Sequence, residues 1–168
     1  MATPTYDLLE SVTLATAASS VTFSSIDQSY GDLILQMEAV ATSSNTPKVR
    51  FNSDSGSNYY SVSMQGLANG NTGSYSSTSN FLTVQVANVK TKPSLFTVQV
   101  FDYSATDKHK SALSRCVAVE DDGSLDRVGA VAARWANTSA ITSITLDGST
   151  GSWDTGSTFT LYATTKAV

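Results

Sequence analysis

The sequence predicts an all-β fold, an antiparallel sandwich or barrel of about eight to ten short strands with little helix. Three observations carry this expectation. Apolar and polar residues alternate in runs of three to seven, which is the periodicity of a strand with one buried face. Clusters of Gly, Asn, Ser and Asp separate the runs at close spacing. Roughly three residues in ten are Ser or Thr, types that weaken helices, while Thr suits strands and Ser suits turns. Only Ala130 to Ala136 is compatible with a helix, and Gly129 and Asn137 bound it too closely for one to form.

The elements follow in order. Val12-Leu14 and Val21-Phe23 open the series, and Leu33-Leu35-Met37-Ala39 alternates with Ile34-Gln36-Glu38. Val49-Phe51 runs into the turn Asn52-Ser53-Asp54-Ser55-Gly56, followed by Tyr60-Val62-Met64. Gln65 to Asn80 is Gly-, Asn- and Ser-rich and has no apolar alternation, so it is expected to be a long loop, flexible or protruding. Leu82-Val84-Val86 and Phe96-Val98-Val100 are the strongest alternators. Leu113-Arg115-Val117-Val119 and Val131-Ala133-Trp135 come next. Thr142-Ile144-Leu146 and Phe159-Leu161-Ala163 close the chain and are expected to form two antiparallel strands sharing one buried face.

At 168 residues the chain suits one domain spanning 1–168, since a chain of about 150 residues buries roughly 70% of its unfolded surface. Hydrophobic residues make up 40% and charged residues 14%, which excludes a disordered tail. A net charge of −4 argues against non-specific nucleic-acid binding, which needs a positive field. The single cysteine, Cys116, cannot form an intramolecular disulfide. No stretch approaches the ~20 apolar residues that span a bilayer, and the first residues lack a basic segment ahead of an apolar run. The expectation is a protein made and folded in a cytoplasm, with no membrane partner.

Few residues offer chemistry. His109, the only histidine, lies in the charged segment Asp107-Lys108-His109-Lys110, which reads as a solvated turn. Cys116 sits beside Ala118 on a strand, on the side opposite Arg115, Val117 and Val119, and reads as a small buried thiol. Glu120-Asp121-Asp122, with Asp126, and separately Asp54 offer oxygen ligands for calcium but lack the alternating spacing of a calcium loop. Asp122-Gly123 is a hairpin signal, which favours a charged turn. No cofactor or metal motif is present, and a carboxylate pair for glycoside hydrolysis would have to be assembled by the fold. Lys108, Lys110 and Arg115 form the densest basic group and could dock an acidic protein surface. Among the aromatic residues, Trp135 reads as core, whereas Tyr75 and Trp153, in Gly/Ser-rich segments, are candidates for exposed contact with carbohydrate. Asn137-Thr138-Ser139 matches a glycosylation acceptor, which is idle without export.

Several segments carry a resemblance. They are Tyr6 to Leu9, Val21 to Ile26, Tyr30 to Leu35, Arg50 to Tyr59, Phe101 to Tyr103 leading into Lys108-His109-Lys110-Ser111, Trp135 to Leu146, and Gly156 to Tyr162. On these the chain resembles small jelly-roll virion proteins of tailed phages, found often in cyanophages and related prophages. The resemblance implies a jelly-roll sandwich and a capsid decoration (cement) protein on the outside of the head. It also implies a homotrimer partnered by the major capsid protein, and no catalytic residues. Lys108, His109, Lys110, Tyr75 and Trp153 are the residues expected at partner contacts. The alternative is a tail-fibre or spike module that binds host carbohydrate; a glycan-degrading enzyme is a weaker third.

Overall fold

In the computed structural model, which describes residues 5–84 and 88–166, the chain is all β, with no helix among those residues. The strands are β1 (Tyr6–Thr13), β2 (Ser20–Phe23), β3 (Leu33–Ala39), β4 (Pro47–Phe51), β5 (Tyr59–Leu67) and β6 (Thr72–Ser79). They continue with β7 (Leu82–Thr83), β8 (Ser94–Phe101), β9 (Lys110–Val119), β10 (Leu125–Trp135), β11 (Ile144–Gly148) and β12 (Thr158–Thr164). Two antiparallel sheets result. The larger has the order β1-β12-β3-β8-β9-β10-β5-β6, and the smaller β2-β11-β4-β7. The sequence anticipated about ten strands; the twelve include β6, and Val86 of the expected Leu82-Val84-Val86 run lies outside the described residues.

The sheets differ in width, and the difference organises the molecule. The four-stranded sheet packs on the β1-β12-β3-β8 half, where the inward stripes are fully apolar. Leu33, Leu35 and Met37 of β3, Phe96, Val98 and Val100 of β8, and Phe159 and Leu161 of β12 meet Val49, Phe51, Ile144 and Leu146 in one buried cluster. Each such side chain stabilises the fold by about 1.5–3 kcal/mol on burial. The hairpins β5–β6 and β9–β10 extend the larger sheet beyond this sandwich, with the short β7 lying against β5 and β10.

The closing strands do not pair with each other. β11 pairs with β2 and β4, whereas β12 pairs with β1 and β3. Their alternation reflects burial from opposite sides of the same core, and the connection between them crosses from one sheet to the other. Trp153, expected on the surface of that connection, is fully buried. The segment folds inward because the Trp153 backbone bridges Ala18 and Ala41. Its N–H donates to Ala18 O at 2.8 Å and its indole packs edge-on against Phe159 at 5.7 Å. Indole Nε1–H donates to Leu146 O at 3.4 Å, so the polar atom is satisfied inside.

The expected loop from Gln65 to Asn80 is also corrected: it holds the end of β5, a turn and the whole of β6, which together close a hairpin. Gly70, at φ 84°, makes the turn, and β6 pairs with β5 from Tyr59↔Ser79 to Gly66↔Thr72. β6 has no apolar stripe because it is an edge strand held by backbone bonds and by contacts such as Ser61–Ser77 at 2.8 Å.

A second corner joins the sandwich to its extension. The turn after β4 places Asn52 and Ser53 at positive φ, and the Asn52 side chain holds it by accepting from Thr142 N–H and donating to Ala140 O. Just beyond it, Asp54 accepts the Trp135 indole N–H at 2.7 Å and the Asn58 amide at 2.9 Å. Trp135 stacks on Tyr59 at 6.3 Å and meets Phe51 edge-on at 5.6 Å. Burial pushes the Asp54 pKa up, but donation from Trp135, Asn58 and Gly56 holds it below its ordinary 3.8. A depressed folded-state pKa means that the stabilisation is complete above the unfolded value and is lost as pH falls through the folded value.

Two predictions follow from these corners. Trp153→Ala empties a closed core site and should cost about 3–5 kcal/mol in denaturant unfolding. Asp54→Ala leaves the indole N–H without its acceptor and should cost about 1–3 kcal/mol. Its deficit against the parent protein should shrink as unfolding is repeated at pH values descending below 3.8.

Candidate functional site

On the added hairpins the apolar stripe faces solvent. Along β5 the inward residues are Tyr59, Ser61, Ser63 and Gln65, while Tyr60, Val62 and Met64 point out. Along β9 the inward residues are Lys110, Ala112, Ser114, Cys116 and Ala118, while Leu113, Arg115 and Val117 point out. Register aligns the outward stripes across four strands: Gln99, Leu113, Ala132 and Val62 form one row. Thr97, Arg115, Ala130 and Met64 form the next, and Leu95, Val117, Val128 and Gly66 the third.

The result is a largely apolar face, bordered on β8 by Thr97 and Gln99. Val62 is 60% exposed, Met64 65%, and Leu95, Leu113 and Val128 each about half. Ala130, Ala132 and Gly129 make its floor low, leaving hollows of about 530 and 870 Å³ between the taller side chains. A lone Arg115 stands within it, and Arg134 stacks over Tyr60 at 4.7 Å at one end. Contiguous exposed apolar surface of this kind marks an interaction site. The outer face of the other half is mixed: Thr-rich pairs such as Ser11–Thr160 at 3.0 Å and Thr13–Thr158 at 3.1 Å cover much of it, with Tyr6 and Leu8 of β1 exposed at the edge.

The basic group expected from sequence is not assembled. Lys108 is exposed and pairs with Asp102 at 2.7 Å, and His109 is exposed beside it. Lys110 is buried instead, its Nζ donating to Lys108 O at 3.0 Å and Thr138 O at 3.2 Å. Burial lowers its pKa, against the pull of Asp107. Lys110 is inward because its neighbour across the ladder is Trp135, on the core side of β10. Arg115 lies several residues along β9 and belongs to the apolar face. Lys110 therefore cannot serve as a surface contact, and neither can Trp153.

Tyr75 keeps its expected exposure, 60%, but on β6 rather than in a loop. The acidic residues near the β9–β10 turn serve local structure. Glu120 pairs with Lys90, Asp121 accepts from Thr91, and Asp122 accepts from Ser124 beside Gly123 at φ 88°. Among the described residues no group of three or more His, Cys, Asp or Glu side chains is placed to hold a metal ion. Cys116 is buried. Nothing in the carboxylates of this turn converges on a common centre.

The apolar face was missed because alternation reports that a stripe is apolar, not which side it takes. The signal lay in the opposite stripes, where Ser61-Ser63-Gln65 and Ala112-Ser114-Cys116 are small or polar on strands that reach past the covering sheet. Comparison with known proteins adds no family: no family model, curated protein or solved structure matches the chain.

If this face is an interface, Val62→Glu and Leu113→Glu should each lower the sedimentation-derived mass toward the monomer. Because both side chains are already half exposed, the unfolding free energy of the separated monomer should change by no more than about 0.5 kcal/mol.

Proposed function

We propose that this chain is a structural binding protein of a phage virion, a head decoration protein that attaches to the major capsid protein and assembles as a homotrimer. The observation that carries the proposal is the outward apolar face of β9, β10 and β5, too large to be left in water by a chain that works alone. A threefold ring uses heterologous contacts, so the face of one copy meets a different surface of the next and the ring closes.

Strand order supports the jelly-roll scaffold that the resemblance implies. Without the two hairpins, the sheets read β1-β12-β3-β8 and β2-β11-β4-β7, two four-stranded layers in which early strands pair with late ones. This order supports the eight-stranded, double Greek-key arrangement of a jelly roll as the reading of the scaffold. The hairpins are then additions to the scaffold, inserted between β4 and β7 and between β8 and β11, and the candidate interface is built on them. The hollows on this face are lined by no carboxylate, which fits docking better than hydrolysis.

Stabilisation of the head would follow by mass action: a subunit that binds only the assembled shell lowers the free energy of that shell. Virions carrying the protein should release DNA at a higher temperature than virions lacking it, and quantitative electrophoresis should count it in hundreds of copies per particle. Equal release temperatures, with a handful of copies confined to tails, would overturn the proposal.

A further inference from the structure

The opposite side of the same hairpins carries a second surface of different chemistry. Along β5 and β6, at the far end of the larger sheet, the inner face is polar, and a groove of about 340 Å³ opens between these strands and the segments around Thr46, Thr83 and Asn88. The floor is Ser61, Ser63 and Gln65, residues that occupy core-facing positions of β5 and are about nine-tenths buried. On an ordinary sandwich these positions would be Val or Leu.

Three features point to a ligand. The Ser63 hydroxyl lies in the groove lining without a hydrogen bond to another described side chain, so it is open to donate and accept from the groove side. Tyr75 stands at the rim with its ring 60% exposed, and it is held rather than free to turn. A relay fixes it: Asp126 accepts from Arg127 Nε at 3.0 Å, Arg127 donates to Gln65 Oε1 at 3.2 Å, and Gln65 Nε2 donates to Tyr75 Oη at 3.3 Å. The facing wall supplies Asn88, whose amide is oriented by Thr46 at 2.7 Å and Ser44 at 2.9 Å.

From this we infer that the groove binds a short neutral glycan, a mono- or disaccharide unit of a longer chain. A sugar ring has a C–H face that packs on an aromatic ring and a rim of hydroxyls that both donate and accept. The groove offers one oriented aromatic ring and a set of hydroxyl and amide groups with the same dual capacity. Its volume is at the small end of ligand sites, which run about 300–1,000 Å³. An anionic ligand fits less well, because the one cation in the lining is already engaged by Asp126 and the protein carries a net charge of −4. An apolar ligand would strand the hydroxyls. The site lies across the sheet from the apolar face, so glycan and protein partners can be held together.

The test is saturation-transfer NMR on the whole protein with glucose, galactose, mannose, N-acetylglucosamine, lactose, maltose and cellobiose at millimolar concentration. At least one sugar should show transfer concentrated on its ring C–H protons. Tyr75→Ala should weaken that binding at least tenfold, Ser63→Val severalfold, and Tyr75→Phe less than Tyr75→Ala, since the stacking ring remains. Thermal unfolding of each variant verifies that the fold is kept; Tyr75 is exposed enough for its removal to be tolerated. No transfer to any of the sugars, or transfer unchanged by Tyr75→Ala, overturns the inference. Either result leaves the decoration proposal standing, because that rests on virion stability and copy number.

Discussion

The structure depends on the corner where Trp135 meets Asp54, Tyr59 and Phe51. Trp135 ends β10, Tyr59 begins β5, and Phe51 ends β4 in the other sheet, so three strands from two sheets are tied at one point. The indole N–H is satisfied by a carboxylate that the β4–β5 turn delivers. Tyr59 adds its hydroxyl, which accepts Phe51 N–H at 3.1 Å; burial pushes its pKa up to about 12, keeping it neutral at any physiological pH. Without this corner the added strands would keep their backbone pairing with β8, the packing of β7 on β5 and β10, and side-chain ties such as Ser114 to Val84 O, but no aromatic anchor between the two sheets.

That tie makes an unequal sandwich workable. Four strands of the larger sheet have a full apolar cover, and four extend past it. The outer face of these four strands is exposed, whereas their inner face is buried along β9 and β10, at Ala112, Cys116, Val131 and Trp135, and opens to a groove only along β5 and β6. The side that a longer second sheet would have covered carries Ser, Gln and Tyr, joined by cross-strand hydrogen bonds. The side that faces away carries Val, Met and Leu in register across β8, β9, β10 and β5. On the sandwich half the outer face carries threonine pairs, with exposed apolar side chains confined to Tyr6 and Leu8 of the edge strand β1. An exposed apolar stripe adds nothing to the stability of a lone chain, and it is this stripe on which the proposed association rests.

Much of this architecture was legible from residues. The strands β2, β3, β4, β8 and β12 stand where Val21-Phe23, Leu33-Ala39, Val49-Phe51, Phe96-Val100 and Phe159-Ala163 alternate, because each has one face in the core. β6 was illegible: TGSYSSTS has no apolar period, and only the backbone of β5 makes it a strand. Trp153 was misplaced for a related reason. Its Gly/Ser/Asp surroundings look solvated, but the bridges to Ala18 and Ala41 draw that segment across the end of the barrel-like core. Lys110 looked like part of a charged turn because Asp107, Lys108 and His109 precede it, and nothing local signals that β9 begins there with its side chain turned inward.

Sequence by itself determined the class of the fold and the position of most strands, because period-two alternation is a local property of residues that share a buried side. It also determined that two stripes, Tyr60-Val62-Met64 and Leu113-Arg115-Val117, are apolar enough to need a partner. Only the tertiary structure decided which partner each stripe has. Pairing is non-local: β11 and β12 are neighbours in the chain and belong to different sheets, while β1 and β12, at opposite ends, lie side by side. Whether a stripe is core or surface depends on how far the facing sheet extends. Here the four-stranded sheet stops short, and that single geometric fact leaves two core-like stripes as an exposed face and the serine-bearing inner stripe of β5 as the floor of a groove.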